Sequence, residues 1–120
     1  MVYQINVAYD YGLYDACAVM VRRLMESLII EVFIYNKIAN EIKINGKFFF
    51  DLDGLIKKIT NHNKIHLGRN TPKYLIKIKE LGDTAAHDRV YITQQPDIDD
   101  LKLEIRKVIQ ELLLLAGIIK

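Results

Sequence analysis

The sequence predicts an all-α domain built as a bundle of four to five helices. Three observations point there. Apolar residues recur at spacings of three and four over long stretches, the period of a helix with a buried face. Helix-start signals, Thr71-Pro72 and Asp97, precede two of those stretches. A chain of 120 residues, 51% of them apolar, is long enough for one core, so residues 1–120 read as a single helical domain.

The first element runs from about Val7 to Asn36. Tyr14, Ala18, Val21, Met25, Leu28 and Val32 share a face, and Val19, Ile29, Ile30 and Phe33 widen it. Such a helix is central and buried on more than one side. Next, Glu41 to Phe50 alternates, carries Asn45-Gly46 and ends in aromatics. Two readings stay open: a short hairpin near residues 42–49, or a frayed helix end stopped by Gly46. Asp51 or Asp53 then caps a short helix through Leu55, Ile56 and Ile59, weakened near its start by Gly54.

Asn61 to Asn70 is polar and loop-like. Thr71 caps the third helix, with Pro72 at its first position. Leu75, Ile78, Leu81 and Ala85 turn inward, and the helix ends near Asp88. After a connector, Val90 to Pro96, Asp97 caps the last helix. Its stripe is Ile98, Leu101, Ile105, Val108, Leu112 and Leu115.

Composition narrows the function. A net charge of +2 suggests no strong nucleic-acid or membrane field, although it leaves room for a local basic patch. Cys17 is the only cysteine, so no internal disulfide forms, and a reducing compartment fits. Among Ala16, Ala18 and Val19 it reads as a small buried side chain. No segment resembles a signal peptide. The longest apolar run, Leu112 to Ile119, is shorter than the roughly 20 residues that cross a bilayer. The expectation is a cytoplasmic protein with no membrane partner.

Two constellations carry candidate chemistry. Asp83 and His87 lie one helical turn apart, with Lys79 one turn earlier. A carboxylate can fix an imidazole in one tautomer, which is half of an acid–base site. The same pair can equally be a surface contact at a helix end. Gly82, Ala85 and Ala86 leave room for another helix or a symmetry mate. Arg22, Arg23 and Glu26 form the second group. Arg22 and Glu26 flank the apolar stripe, where charges are partly buried and paired, while Arg23 faces the polar side. An arginine there either locks helix register or grips a phosphate in bidentate fashion. His62 and His66 sit in loop sequence with no further ligand set, so no metal site is expected, and no cofactor motif is present. Tyr3, Tyr9, Tyr11 and Tyr14 are read as packing residues rather than base-stacking ones.

Two segments, Ala18-Val19-Met20-Val21-Arg22-Arg23-Leu24-Met25-Glu26 and Ile78-Lys79-Glu80-Leu81-Gly82-Asp83-Thr84-Ala85-Ala86-His87-Asp88, together resemble the HEPN superfamily. The nearest likeness is to a bacterial HEPN-like subgroup, defined only as a domain of unknown function and found beside restriction and defence enzymes. The resemblance follows helix order through most of the chain but rests on these two segments. It implies a helical bundle that dimerises, in a superfamily where many members are metal-independent ribonucleases. Catalytic members carry arginine, a polar residue, three variable residues and histidine. His87 and Asp83 fill the histidine and polar places, whereas Gly82 stands where the arginine would be. Glycine cannot stabilise charge developing on a phosphate. The subgroup's usual asparagine is Asp83 here, which adds negative charge where RNA would approach.

Three functional readings follow. In the first, the chain is a non-catalytic interaction or dimerisation module linked to a defence or nucleic-acid-processing system. It would form a homodimer, with a fused or neighbouring defence enzyme as partner and RNA or a nucleotide as candidate ligand. In the second it is a metal-independent ribonuclease. His87 would be general acid/base, Asp83 its orienter, and Arg22 or Lys79 the phosphate ligand. In the third, Arg22, Glu26 and His87 form a purely structural polar cluster. The early helical character, from Tyr3 to Tyr14, also fits a fragment or a fused relative.

Overall fold

A glycine turn splits what the periodicity presents as one long first helix. The computed structural model, which describes residues 1–119, places α1 at Val2–Asp10 and α2 at Tyr14–Tyr35. Gly12 adopts φ +75. Its N–H donates to the Tyr9 carbonyl at 3.0 Å, and the Leu13 N–H donates to the Ala8 carbonyl at 2.8 Å. This paired pattern closes a helix through a left-handed residue, which glycine adopts without a Cβ penalty. The apolar spacing runs on across the break and conceals it.

α2 is the central element, as its wide apolar surface predicts. Its buried residues include Ala18, Val21, Met25, Ile29 and Phe33, and the helices at Val2–Asp10, Leu52–Thr60, Thr71–His87 and Lys102–Leu115 all pack on it. After a 3-10 turn, Ala39–Ile42, the chain forms the hairpin rather than a frayed helix end. Strands β1 (Lys43–Ile44) and β2 (Phe48–Phe49) pair antiparallel, Lys43 opposite Phe49 and Ile44 opposite Phe48. Asn45 and Gly46 supply the positive φ values, 52 and 70, that so tight a reversal requires. Two short strands alone are marginal. This pair is tied to the core at its base, where the Phe50 N–H donates to the carbonyl of fully buried Ile42 at 2.8 Å.

α3 spans Leu52–Thr60, and the Asp51 carboxylate caps it by accepting from the Gly54 N–H at 2.9 Å. α4 spans Thr71–His87. Thr71 is not its cap: Asn70 occupies that position without a side-chain capping bond, and Thr71 is the first helical residue, buried. The preceding loop is held instead by the Gly68 N–H, which donates to Glu111 Oε1 at 2.9 Å and so seats Thr71 against the interior. The last helical region is also divided. α5 (Gln95–Asp99) is separate from α6 (Lys102–Leu115). Asp97 lies inside α5 and reaches back to accept from the Gln94 N–H at 2.8 Å, so the capping position belongs to Gln94. The outcome is an all-α bundle with one small hairpin. No described helix is long and apolar enough to cross a membrane.

α4 crosses α2 at very close range. A Cβ built on Gly82 would lie 2.6 Å from Arg22 Cβ, 2.8 Å from Arg22 Cδ and 3.1 Å from the Ala18 carbonyl oxygen. The Gly82 backbone therefore rests directly on α2. Replacing it with alanine gains up to about 1 kcal/mol of helix propensity. It also forces apart atoms close to the Arg22 backbone, an overpacking cost of about 1–3 kcal/mol. We expect Gly82→Ala to be destabilised in urea titrations and Gly82→Val more so. Stability equal to or above wild type in both would contradict the close-approach role.

Candidate functional site

The α2–α4 crossing brings the two sequence constellations together. Arg22 lies across Gly82, and its Nε–H donates to Asp83 Oδ1 at 2.7 Å. From one turn earlier on α4, the Lys79 ammonium donates to Asp83 Oδ2 at 2.5 Å. Arg22 Nη1 is 3.9 Å from Glu26 Oε2, a looser ion pair along α2. Two cations and two carboxylates thus form one cluster bridging the helices. Arg22, Lys79 and Asp83 retain only 25%, 23% and 31% of their side-chain exposure.

The site differs from the expected Asp83–His87 pair. Asp83 spends its oxygens on Arg22 and Lys79, while His87 is the last residue of α4 and exposed. Helical spacing does place Asp83 and His87 on a common face. Two permanent cations, one from each helix, outcompete an imidazole for a single carboxylate. The expected polar cluster is likewise altered: Arg22 and Glu26 belong to it, Asp83 and Lys79 complete it, and His87 stands apart. Arg23 is exposed on the far side of α2, as its position predicts.

Electrostatics follow the geometry. Burial alone would raise the Asp83 pKa, but hydrogen bonds from Lys79 and Arg22, with their charges, outweigh it and hold the carboxyl below its ordinary range. The hydrogen bond to Asp83 holds the Lys79 ammonium above its ordinary value. The cluster is a closed charge pair network rather than an open cation waiting for an anion.

Immediately after α4 the chain turns through Asp88, whose Oδ1 accepts from the Val90 N–H at 2.8 Å and the Tyr91 N–H at 2.9 Å. These two backbone bonds hold the Asp88 carboxyl below its usual range. The connector is fastened to α2 where the Thr93 N–H donates to Asp15 Oδ1 at 2.9 Å. Val90 and Ile92 remain exposed between these anchors. Cys17 is buried on α2, and burial pushes its thiol up against a weaker opposing pull from Lys102.

Two further polar groups have no signal in the sequence, because their members are distant along the chain. Tyr9 donates to Asp99 Oδ1 at 2.6 Å and accepts from Lys102 Nζ at 2.9 Å, joining α1 to the α5–α6 corner. His62 packs edge-on against Phe33, lies 2.9 Å from Glu41 Oε1 through Nε2, and accepts the Lys64 N–H on Nδ1 at 3.0 Å. His66 is not part of that group. Among the described residues, no three histidine, cysteine or acidic side chains are placed to share a metal ion. No family model matches the chain, and neither a curated protein nor a solved structure does.

The cluster makes a pH-dependent prediction. A carboxyl with a lowered folded-state pKa contributes fully above the ordinary carboxylate range, and the contribution fades as pH falls through the lower folded value. Asp83→Asn should therefore cost about 1–3 kcal/mol at pH 7, between the exposed and buried limits for ion pairs. The gap from wild type should narrow progressively below about pH 4. Denaturation across that range measures it, and a gap independent of pH would refute the assignment.

Proposed function

We propose that this chain is a non-catalytic helical interaction module, cytoplasmic and homodimeric, that serves a defence or nucleic-acid-processing system. One observation carries the non-catalytic reading. The two cations that the sequence offers as phosphate ligands, Arg22 and Lys79, are both engaged by Asp83. A phosphate at this place would have to compete with an internal carboxylate already held at hydrogen-bond distance. Position 82 cannot supply the cation either, since any side chain there meets Arg22.

The assignment to a HEPN-like family remains part of this proposal and rests on the two sequence segments. The departure at Gly82 acquires a physical reason. A residue that lets α4 touch α2 is incompatible with an arginine pointing at substrate. The connector after His87 supports a contact surface, because Val90 and Ile92 expose apolar side chains beside the motif while their backbone is tethered at both ends. A partner therefore meets a fixed edge rather than a loose one.

Size-exclusion chromatography with light scattering should give a dimer, and Val90→Asp with Ile92→Asp should shift it toward monomer. A wild-type monomer at high protein concentration would reject the dimer. RNA incubated in EDTA should survive equally with wild type and His87→Ala. Cleavage that disappears in His87→Ala would overturn the non-catalytic reading and favour the metal-independent ribonuclease, with His87 as acid/base.

A further inference from the structure

On the face of α2 that adjoins the one packed on α4, the bundle leaves an apolar groove of about 340 Å³. Cys17, Val21 and Leu24 of α2 form its floor, Ile5 and Tyr9 one wall, Ile105 and Ile109 the other. It exists because α1 and α6 both lie on α2 without closing on each other. They meet at one end only, where Tyr9 bridges to Asp99 and Lys102. That end is consequently shut by a polar clasp only one side chain wide.

The charges at this groove are one-sided. Its lining contains two cations, Lys102 and Arg106, and no acid. Lys102 is already occupied, 3.2 Å from Asp99 Oδ1 and 4.1 Å above the Tyr9 ring. Arg106 is exposed and enters none of the ion pairs among the described residues. An apolar channel beside an uncommitted guanidinium has the polarity of a single-chain amphiphile with an anionic head.

We propose that the groove binds a free medium-chain carboxylate. Its alkyl chain lies along Ile5, Val21, Leu24 and Ile109, and its carboxylate meets Arg106. The walls set the length. Val2 to Tyr9 on α1, and Lys102 to Ile109 on α6, are each eight residues, seven helical rises or about 10 Å. This is too short and narrow for a two-chain lipid. Burying the chain removes apolar surface of both partners from water. The bidentate guanidinium contact selects the head group.

The test is a head-group series below micelle-forming concentrations: decanoate, decylammonium and decanol, followed by calorimetry and methyl NMR. Decanoate should bind and shift the Val21, Leu24, Ile105 and Ile109 methyls, and decylammonium should bind at least tenfold more weakly. Arg106→Gln, a surface change that leaves the core intact, should weaken decanoate about tenfold, as loss of a charge-assisted hydrogen bond implies. It should leave decanol unchanged, and Arg106→Lys should recover part of the loss. Equal binding of all three heads, indifference to Arg106→Gln, or shifts outside the groove would overturn the proposal. So would groove methyls that shift with protein concentration alone, since a second copy would then cover the groove. This inference is independent of the proposed function: an RNA assay or a dimer measurement at the Val90–Ile92 edge can fail without affecting it.

Discussion

The direct contact of Gly82 with α2 is the constraint on which the motif region depends. Removing a Cβ at that position lets the two backbones approach until Arg22 lies across α4. From there its Nε reaches Asp83, the next residue, while Lys79 closes on the same carboxylate from its own helix. The polar cluster is thus a consequence of backbone proximity. A larger residue at 82 would lift Arg22 away and leave a partly buried carboxylate with one fewer partner. Ion pairs in such half-buried places add modest net stability, because desolvation offsets much of the attraction. Their larger effect here is directional, since the pair forms only when α2 and α4 are in the correct register.

The same geometry changes the meaning of aspartate at position 83. Taken by itself, an acid there repels a nucleic acid. Within the cluster its charge is met by two cations, and adding Glu26 brings the formal sum of the four groups to zero. An asparagine could accept on one oxygen only, so it could not bind Arg22 and Lys79 through separate oxygens. Aspartate is therefore the residue suited to bridging two cations from two helices.

Much of the architecture is legible in local patterns. The all-α class, the central position of α2 and the partial burial of Arg22 follow from the three-and-four spacing, whereas the Asn45-Gly46 turn residues leave a hairpin and a frayed helix end both open, and the strand pairing decides for the hairpin. The misreadings share one cause. At Gly12 and again at Leu101 the apolar period continues through a break made by hydrogen bonds, so periodicity joins helices that the backbone separates. At Thr71 the preferred cap residue is present but drawn inward by the Gly68–Glu111 bond, which spans 43 positions. The Asp83–His87 pairing failed for a related reason. Spacing identifies which residues share a face but not which competitors arrive from another helix. Tyr9, 90 residues from Asp99, had no local signal at all.

The width of the apolar surface on α2 has a further explanation once the neighbours are known. It comprises two adjoining faces rather than one broad stripe. Cys17, Val21 and Leu24 turn toward the groove, whereas Ala18 and Arg22 turn toward α4, and Arg23, Ser27 and Glu31 remain in solvent. Ala18 and Arg22 need a close backbone, so that side must be small and polar. The groove side needs bulk, yet Cys17 and Val21 are too short to fill the space left between α1 and α6. The Gly12 turn fixes the path of α1, and the Tyr9 clasp fixes its distance from α6 at one end only. Collapse of α1 onto α6 would close the groove and bury more apolar area, but the clasp bonds hold Tyr9 at the length of its own side chain. An open apolar groove is the geometric consequence of a clasp built at one end of two helices that share a third.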